Sequence, residues 1–253
     1  MNKLETGTIV WHDLLTHDIE LAKRFYGDLL GWDYEVEHAE HFVWTGKAAD
    51  YPLIVADEVA HGGFVEVDRE EAAHWLAFVA APDVDSATAR VAGLGGRVVR
   101  QAFDIPGVGR TSVVADPGGA LICPFLRSHD FPAPRDTFVW DELLTDNPEA
   151  AVSFYAGLFD WKSEPVDEPE DRTGGGGVLF RNIDGEPVAG MQAKAGSGAD
   201  RWVTYLRTQD LNATIASAKR LGAAGGSEGA SHGRLKDPAG VEFGLAVSSR
   251  WAA

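Results

Sequence analysis

Apolar and polar positions alternate through residues 8–15, TIVWHDLL, which places Trp11, Asp13 and Leu15 on one face of a strand. From residue 19 the spacing changes to three and four. Ile19, Ala22, Phe25, Tyr26, Leu29 and Leu30 then form one apolar stripe, the pattern of an amphipathic helix. Asp18 stands at its N-cap and Gly31 at its stop. Short β-like runs follow at residues 34–36, 41–45, 53–55 and 63–67.

The pattern then repeats. Residues 11–32, WHDLLTHDIELAKRFYGDLLGW, return as residues 140–161, WDELLTDNPEAAVSFYAGLFDW, 129 positions later (140 − 11). Phe25-Tyr26 falls on Phe154-Tyr155, and Asn147 with Pro148 takes the cap and first helical position. The second copy has β-like runs at residues 178–182 and 188–193, with Gly190 answering Gly63.

A second unit begins at Trp75 and has its partner at Trp202, with Asp83 and Asp210 as caps. Its helical stripes are Val84, Ala87, Val91 and Leu94, and then Leu211, Ile215, Ala218 and Leu221. Each of these units ends on a hairpin turn, Asp116-Pro117-Gly118-Gly119 and Asp237-Pro238-Ala239-Gly240. Arg110 precedes the first turn by six residues and Arg234 the second by three, so the last hairpin is trimmed. The expected fold is therefore α+β, with four β-α-β-β-β modules in two domains, residues 1–127 and 137–253. The proline-bearing stretch 128–136 is the expected linker. The loop DRTGGGG, residues 171–177, lacks the Lys-Ser/Thr and helix start of a phosphate loop and reads as a lid or plain linker.

Composition narrows the partners. With 39 acidic against 22 basic residues and a formal charge of −17, the chain repels phosphate backbones and anionic lipid. Nucleic acid and membrane are excluded as expected partners. The lone cysteine, Cys123, cannot form an internal disulfide, and no segment approaches the roughly 18 apolar residues of a spanning helix. A cytoplasmic chain, monomer or homodimer, is the expectation.

The helix end FYxxx[LF][GD]W, together with the DPxG turn late in each half, resembles the vicinal oxygen chelate superfamily of glyoxalases, extradiol dioxygenases and bleomycin-resistance proteins. A nearer resemblance is to its tandem-domain actinobacterial "27 kDa antigen" or "hydroxylase" branch. The carriers are WHDLLTHD at residues 11–18 and DIPGVGRTSVVADP at residues 104–117. The resemblance implies paired modules that form two glyoxalase-like domains with incomplete-barrel cups. It also implies His, Gln and Glu ligands for a divalent metal. Carried onto this chain, those ligand positions fall on Trp11 and Trp140, on Leu76 and Val203, and on Cys123 and Gly244. A remaining one falls near Glu66, or Gln192 or Ala193 in the second half. Trp, Leu, Val and Gly side chains do not coordinate such ions. No metal or other cofactor is expected, with a divalent ion as the alternative. The eight histidines read as scattered surface residues, with His12 turned away from the cup.

What remains is an apolar cup for a small-molecule ligand, with Trp11 and Trp140 as walls and Leu76, Val203, Cys123 and Arg110 beside them. Trp75 and Trp202 are assigned to the core, opposite Leu76 and Val203. Asp13 and Glu142 lie on the same strand faces as Trp11 and Trp140. Desolvated there, they are the candidate catalytic acid/base groups; the competing reading ties them to neighbouring backbone or an arginine such as Arg110. Three functions stay open. One is a metal-free binder of a hydrophobic or aromatic metabolite, in the manner of the resistance proteins. The second is a lyase, isomerase or hydroxylase-like enzyme using the carboxylates. The third is a metal-dependent glyoxalase or dioxygenase with non-standard ligands.

Overall fold

The structure is a computed structural model that describes residues 6–56, 59–128, 137–166, 177–194, 197–226 and 232–247. Most of the linker and nearly all of the Gly-rich loop lie outside the described residues. The first half runs β1 (Ile9–Thr16), α1 (Ile19–Leu30), β2 (Asp33–Ala39), β3 (Ala49–Ala56), β4 (Val59–Glu66), β5 (His74–Ala80), α2 (Val84–Arg90), β6 (Arg97–Ile105), β7 (Gly109–Ala115) and β8 (Leu121–Arg127). The second runs β9 (Phe138–Thr145), α3 (Pro148–Phe159), β10 (Lys162–Val166), β11 (Gly177–Arg181), β12 (Pro187–Ala193), β13 (Arg201–Arg207), α4 (Leu211–Arg220), β14 (Ala224–Gly225), β15 (His232–Lys236) and β16 (Glu242–Ala246).

All four predicted caps form. Asp18, Asp83, Asn147 and Asp210 accept from the backbone N–H three residues on, those of Leu21, Ser86, Ala150 and Ala213. Gly31 closes α1 in the left-handed region, and Asp160 does the same for α3. One expected strand is absent: residues 41–45 are turns, tied by Gly46 N–H donating to the Phe42 carbonyl at 2.7 Å. Gly46 at φ 68° breaks the extended path there. The last hairpin is shorter than its counterpart, since β16 spans 5 residues where β8 spans 7.

Backbone ladders follow the halves. The two mixed eight-stranded sheets have the orders β2-β3-β4-β1-β5-β8-β7-β6 and β10-β11-β12-β9-β13-β16-β15-β14. Side-chain packing divides the chain differently. One compact unit comprises residues 1–10, 77–132 and 140–203; the other comprises 11–76, 133–139 and 204–253. Each thus joins a module of one half to a module of the other.

The same polar lock sits at the centre of each unit. In the first, Tyr155 Oη donates to Asp116 Oδ2 at 3.0 Å and accepts from Trp202 Nε1 at 3.0 Å. Asp116 Oδ1 meanwhile accepts from the backbone N–H groups of Gly118 and Ala120 in its own turn. In the second unit Tyr26 donates to Asp237 at 3.2 Å and accepts from Trp75 at 3.3 Å. Asp237 is tied to Ala239 and Val241 in the same way. Burial raises the pKa of both aspartates against these donors. Around each tyrosine the rings of Trp161, Phe180 and Trp202, or Trp32, Phe64 and Trp75, pack within 6.3 Å. Trp75 and Trp202 are core residues, 2% and 6% exposed.

Removing the tyrosine hydroxyl strips a buried carboxylate and a buried indole N–H of their partner. Y155F is expected to lower unfolding stability by about 2 kcal/mol in urea denaturation, with Y26F similar. A loss within error of zero would remove the lock from the account.

Candidate functional site

Strand β1 has two unlike faces. Leu14 packs into the helix-bearing core of its unit, and His12 stacks on Phe138 with ring centroids 4.2 Å apart. Alternation turns Trp11, Asp13 and Leu15 to the face away from the helices. Here Asp13, only 3% exposed, accepts at Oδ1 from Tyr51 Oη at 2.7 Å and from Trp11 Nε1 at 2.9 Å. The indole N–H is shared with Tyr51 Oη at 3.2 Å. Among the described residues nothing donates to Asp13 Oδ2. Burial pushes the Asp13 pKa from 3.8 up to about 6, against the two hydrogen bonds and nearby His12. Burial beside that carboxylate in turn raises the Tyr51 phenol well above its ordinary value.

Glycine makes this arrangement possible. Asp13 pairs in register with Gly63 on β4, and a Cβ on Gly63 would lie 2.1 Å from Tyr51 Oη. Any side chain there would drive Tyr51 off Asp13. In the second half Glu142 pairs with Gly190, while the position matching Tyr51 is Gly177. A Cβ on Gly190 would meet the Trp140 ring at 3.0 Å, so the indole itself covers that glycine. Trp140 and Glu142 are 6% and 4% exposed. The two halves therefore carry related carboxyl positions in different surroundings.

Leu76, Val203 and Cys123 are fully buried, with Cys123 paired to Phe78 across β5 and β8. Arg110 is committed elsewhere. It forms a two-pronged pair with Asp85 at 2.8 Å and reaches Asp104 at 2.9 Å, a surface ion cluster rather than a pocket wall. Glu66 is exposed and shares the helix-side face with Leu14 and Phe64, whereas Gln192 shares the face of Glu142. Not all histidines are on the surface: His12 and His61 are 4% and 7% exposed. Tyr51 is absent from the candidates that the sequence offers, because its place beside Asp13 is set by the sheet register that pairs Leu53 with Gly63.

A glyoxalase-like domain model matches residues 9–125 and again 137–246. The chain belongs to the glyoxalase-like family. Curated relatives include the protein CFP32 of Mycobacterium bovis, 29% identical over 253 residues and covering 94% of both chains. Another is the anthracycline biosynthesis protein DnrV of Streptomyces peucetius, 29% identical, covering 97% of this chain and 94% of that one. Solved structures of the vicinal oxygen chelate superfamily share the fold. A variant of homoprotocatechuate 2,3-dioxygenase from Brevibacterium fuscum matches with TM-score 0.61 and 17% identity, covering 96% of this chain and 71% of that one. The Mn(II)-bound glyoxalase from Novosphingobium aromaticivorans matches with TM-score 0.57 and 18% identity, covering 97% and 84%.

Four of the positions to which the resemblance carries a divalent-ion ligand offer no atom for one in this chain. The Trp11 N–H is a donor given to Asp13, Leu76 and Val203 have no donor atoms, and the space over Gly244 is filled by the Tyr205 ring. Among the described residues no group of three or more His, Cys, Asp or Glu side chains could hold a metal ion. Among them, too, no helix is long and apolar enough to cross a membrane.

The raised Asp13 pKa makes stability depend on pH. Between 3.8 and about 6 the folded state holds the proton that the unfolded state releases, so this group's contribution falls as pH rises through that window. D13N removes the effect. Its stability relative to the parent should rise by on the order of 2 kcal/mol between pH 4 and pH 7 in denaturant titrations. A pH-independent difference would mean that Asp13 titrates normally.

Proposed function

We propose that this protein binds a small, flat, largely apolar ligand without a metal ion, on the Trp11–Asp13–Tyr51 face of β1. The observation that carries the reading is the Asp13 carboxyl. One oxygen is fixed by two aromatic donors, and the other receives nothing from the described residues. A buried carboxylate in that state gains most from a ligand hydroxyl or N–H that completes its hydrogen bonding. Trp11, half-buried, offers a π face for the body of the ligand. The name of the relative DnrV, anthracycline biosynthesis, makes fused-ring hydroxylated aromatics the first class to try.

The same group supports a second reading, an enzyme of lyase, isomerase or hydroxylase-like type. A carboxyl titrating at about 6 can both take and return a proton near neutrality. In that case Asp13 is the acid/base, Trp11 and Tyr51 orient it, and Glu142 is its counterpart in the second half.

Titration with 1,4-dihydroxyanthraquinone should quench tryptophan fluorescence, with the W11F protein losing part of the signal. Affinity should fall about tenfold on acidification from pH 7.5 to 5, as the acceptor becomes protonated, and D13N should bind weakly at both pH values. Metal assayed on the same protein, purified without chelator, should stay well below one ion per chain. Equal quenching in parent, W11F and D13N proteins would defeat the binding reading. Turnover of the ligand that D13N abolishes while binding persists would favour the enzyme.

A further inference from the structure

His74 opens β5, and its Nδ1 stands 2.7 Å from the Ala72 carbonyl oxygen. A carbonyl only accepts, so that nitrogen carries the proton. In the neutral ring Nε2 is then a bare lone pair. It is buried, and among the described residues nothing donates to it. Burial lowers the His74 pKa, against the Ala72 bond and nearby Glu71, so the ring is neutral at pH 7. The loop that supplies the carbonyl is itself pinned. Glu71 N–H donates to the Asp68 carbonyl at 3.0 Å, and His17 Nε2 donates to the Glu71 carbonyl at 2.9 Å. His74 as a residue is half-buried, at the margin of the core rather than inside it. A buried acceptor left without a donor is uncommon and calls for a partner.

His74 and Asp13 belong to the same sheet face. β5 lies beside β1 and runs against it: Gly7 N–H donates to the Ala80 carbonyl and Ala80 N–H to the Thr8 carbonyl, both at 2.8 Å. Further along, His12 and Trp75 meet one ring, that of Phe138, at centroid distances of 4.2 and 5.5 Å. The Trp75 indole donates to Tyr26 Oη, which places this pair on the helix side. Asp13 follows His12 and His74 precedes Trp75. In antiparallel strands both are the next step in one direction, and both turn to the opposite face.

We propose, on the strength of the Asp13 reading above, that His74 Nε2 is the second hydrogen-bonding point of that site. The ligand is then an aromatic with two donor groups on one edge, one for Asp13 Oδ2 and one for His74. Two acceptors on one face disfavour a carbonyl or carboxylate edge and favour hydroxyl or N–H groups. Side chains opposite each other on adjacent strands have Cβ atoms about 5 Å apart, a spacing that suits donors on next-but-one ring carbons.

Calorimetry on the full chain compares 1,3-dihydroxynaphthalene with 1-naphthol. The diol should bind about tenfold more tightly. H74N and H74Q separate the two ring nitrogens. The Asn amide still donates to Ala72 but stops short of the Nε2 position, and the preference should fall to within about threefold. The Gln amide oxygen reaches the Nε2 position and should keep most of the preference. Nitrogen-15 NMR gives a second readout on the parent protein: the diol should move the His74 Nε2 signal and leave Nδ1 in place. Equal affinities in the parent, an undiminished preference in folded H74N, or an unmoved Nε2 signal overturns the proposal. D13N separates this failure from that of the Asp13 reading, since it should weaken both ligands. If neither ligand binds the parent, or D13N binds both as the parent does, the Asp13 reading fails and the role of His74 with it.

Discussion

Each compact unit depends on one tyrosine hydroxyl placed between a buried aspartate and a buried indole. An aspartate in a tight turn can satisfy one oxygen from its own backbone, as Asp116 and Asp237 do with the N–H groups two and four residues on. The other oxygen points into the core, where an unmet carboxylate would be costly. Tyr155 and Tyr26 answer it from chain positions 39 and 211 residues away. The two sequence motifs, Phe-Tyr on a helix and Asp-Pro near a chain half's end, are therefore halves of a single interaction. Because donor and acceptor come from different halves, neither half holds both members of either lock.

The lock keeps the helix-side packing constant and leaves the other sheet face to diverge. Four positions are equivalent by strand and register: Asp13 opposite Gly63, Phe78 opposite Cys123, Glu142 opposite Gly190, and Tyr205 opposite Gly244. Three of the four partners are glycine, and large rings lie against them: Tyr51, Trp140 and Tyr205. On this face carboxyl groups and aromatic rings are packed over glycine, the surroundings in which the proposed ligand would be held by shape and hydrogen bonding.

Much of this was legible in the chain. The caps, the duplicated Phe-Tyr helices, the DPxG turns and the burial of Trp75 and Trp202 follow from local spacing and turn chemistry, which act over a few residues. The face assignments of Trp11, Asp13 and His12 followed from alternation alone. Other features depend on partners that no local pattern names. Tyr51 reaches Asp13 across 38 residues and through space that only Gly63 leaves open. Arg100 joins Phe103 through two register slips, which alternation counting cannot see. Arg110, expected beside the cup, is held by Asp85 on α2 and Asp104 on β6, partners that its local spacing does not name. Which modules share a core was equally hidden, because the tyrosine–aspartate pairing is satisfied equally well on paper within a half or across halves.

The functional account turns on a carboxyl only 3% exposed and half satisfied by the protein. The direct measurement is a carbon-13 NMR titration of the Asp13 carboxyl in the folded chain, assigned by its loss in D13N. A midpoint near 6 is the result this account requires. A midpoint at the ordinary value of 3.8 would mean that Asp13 is solvated, and the site built around it would not exist.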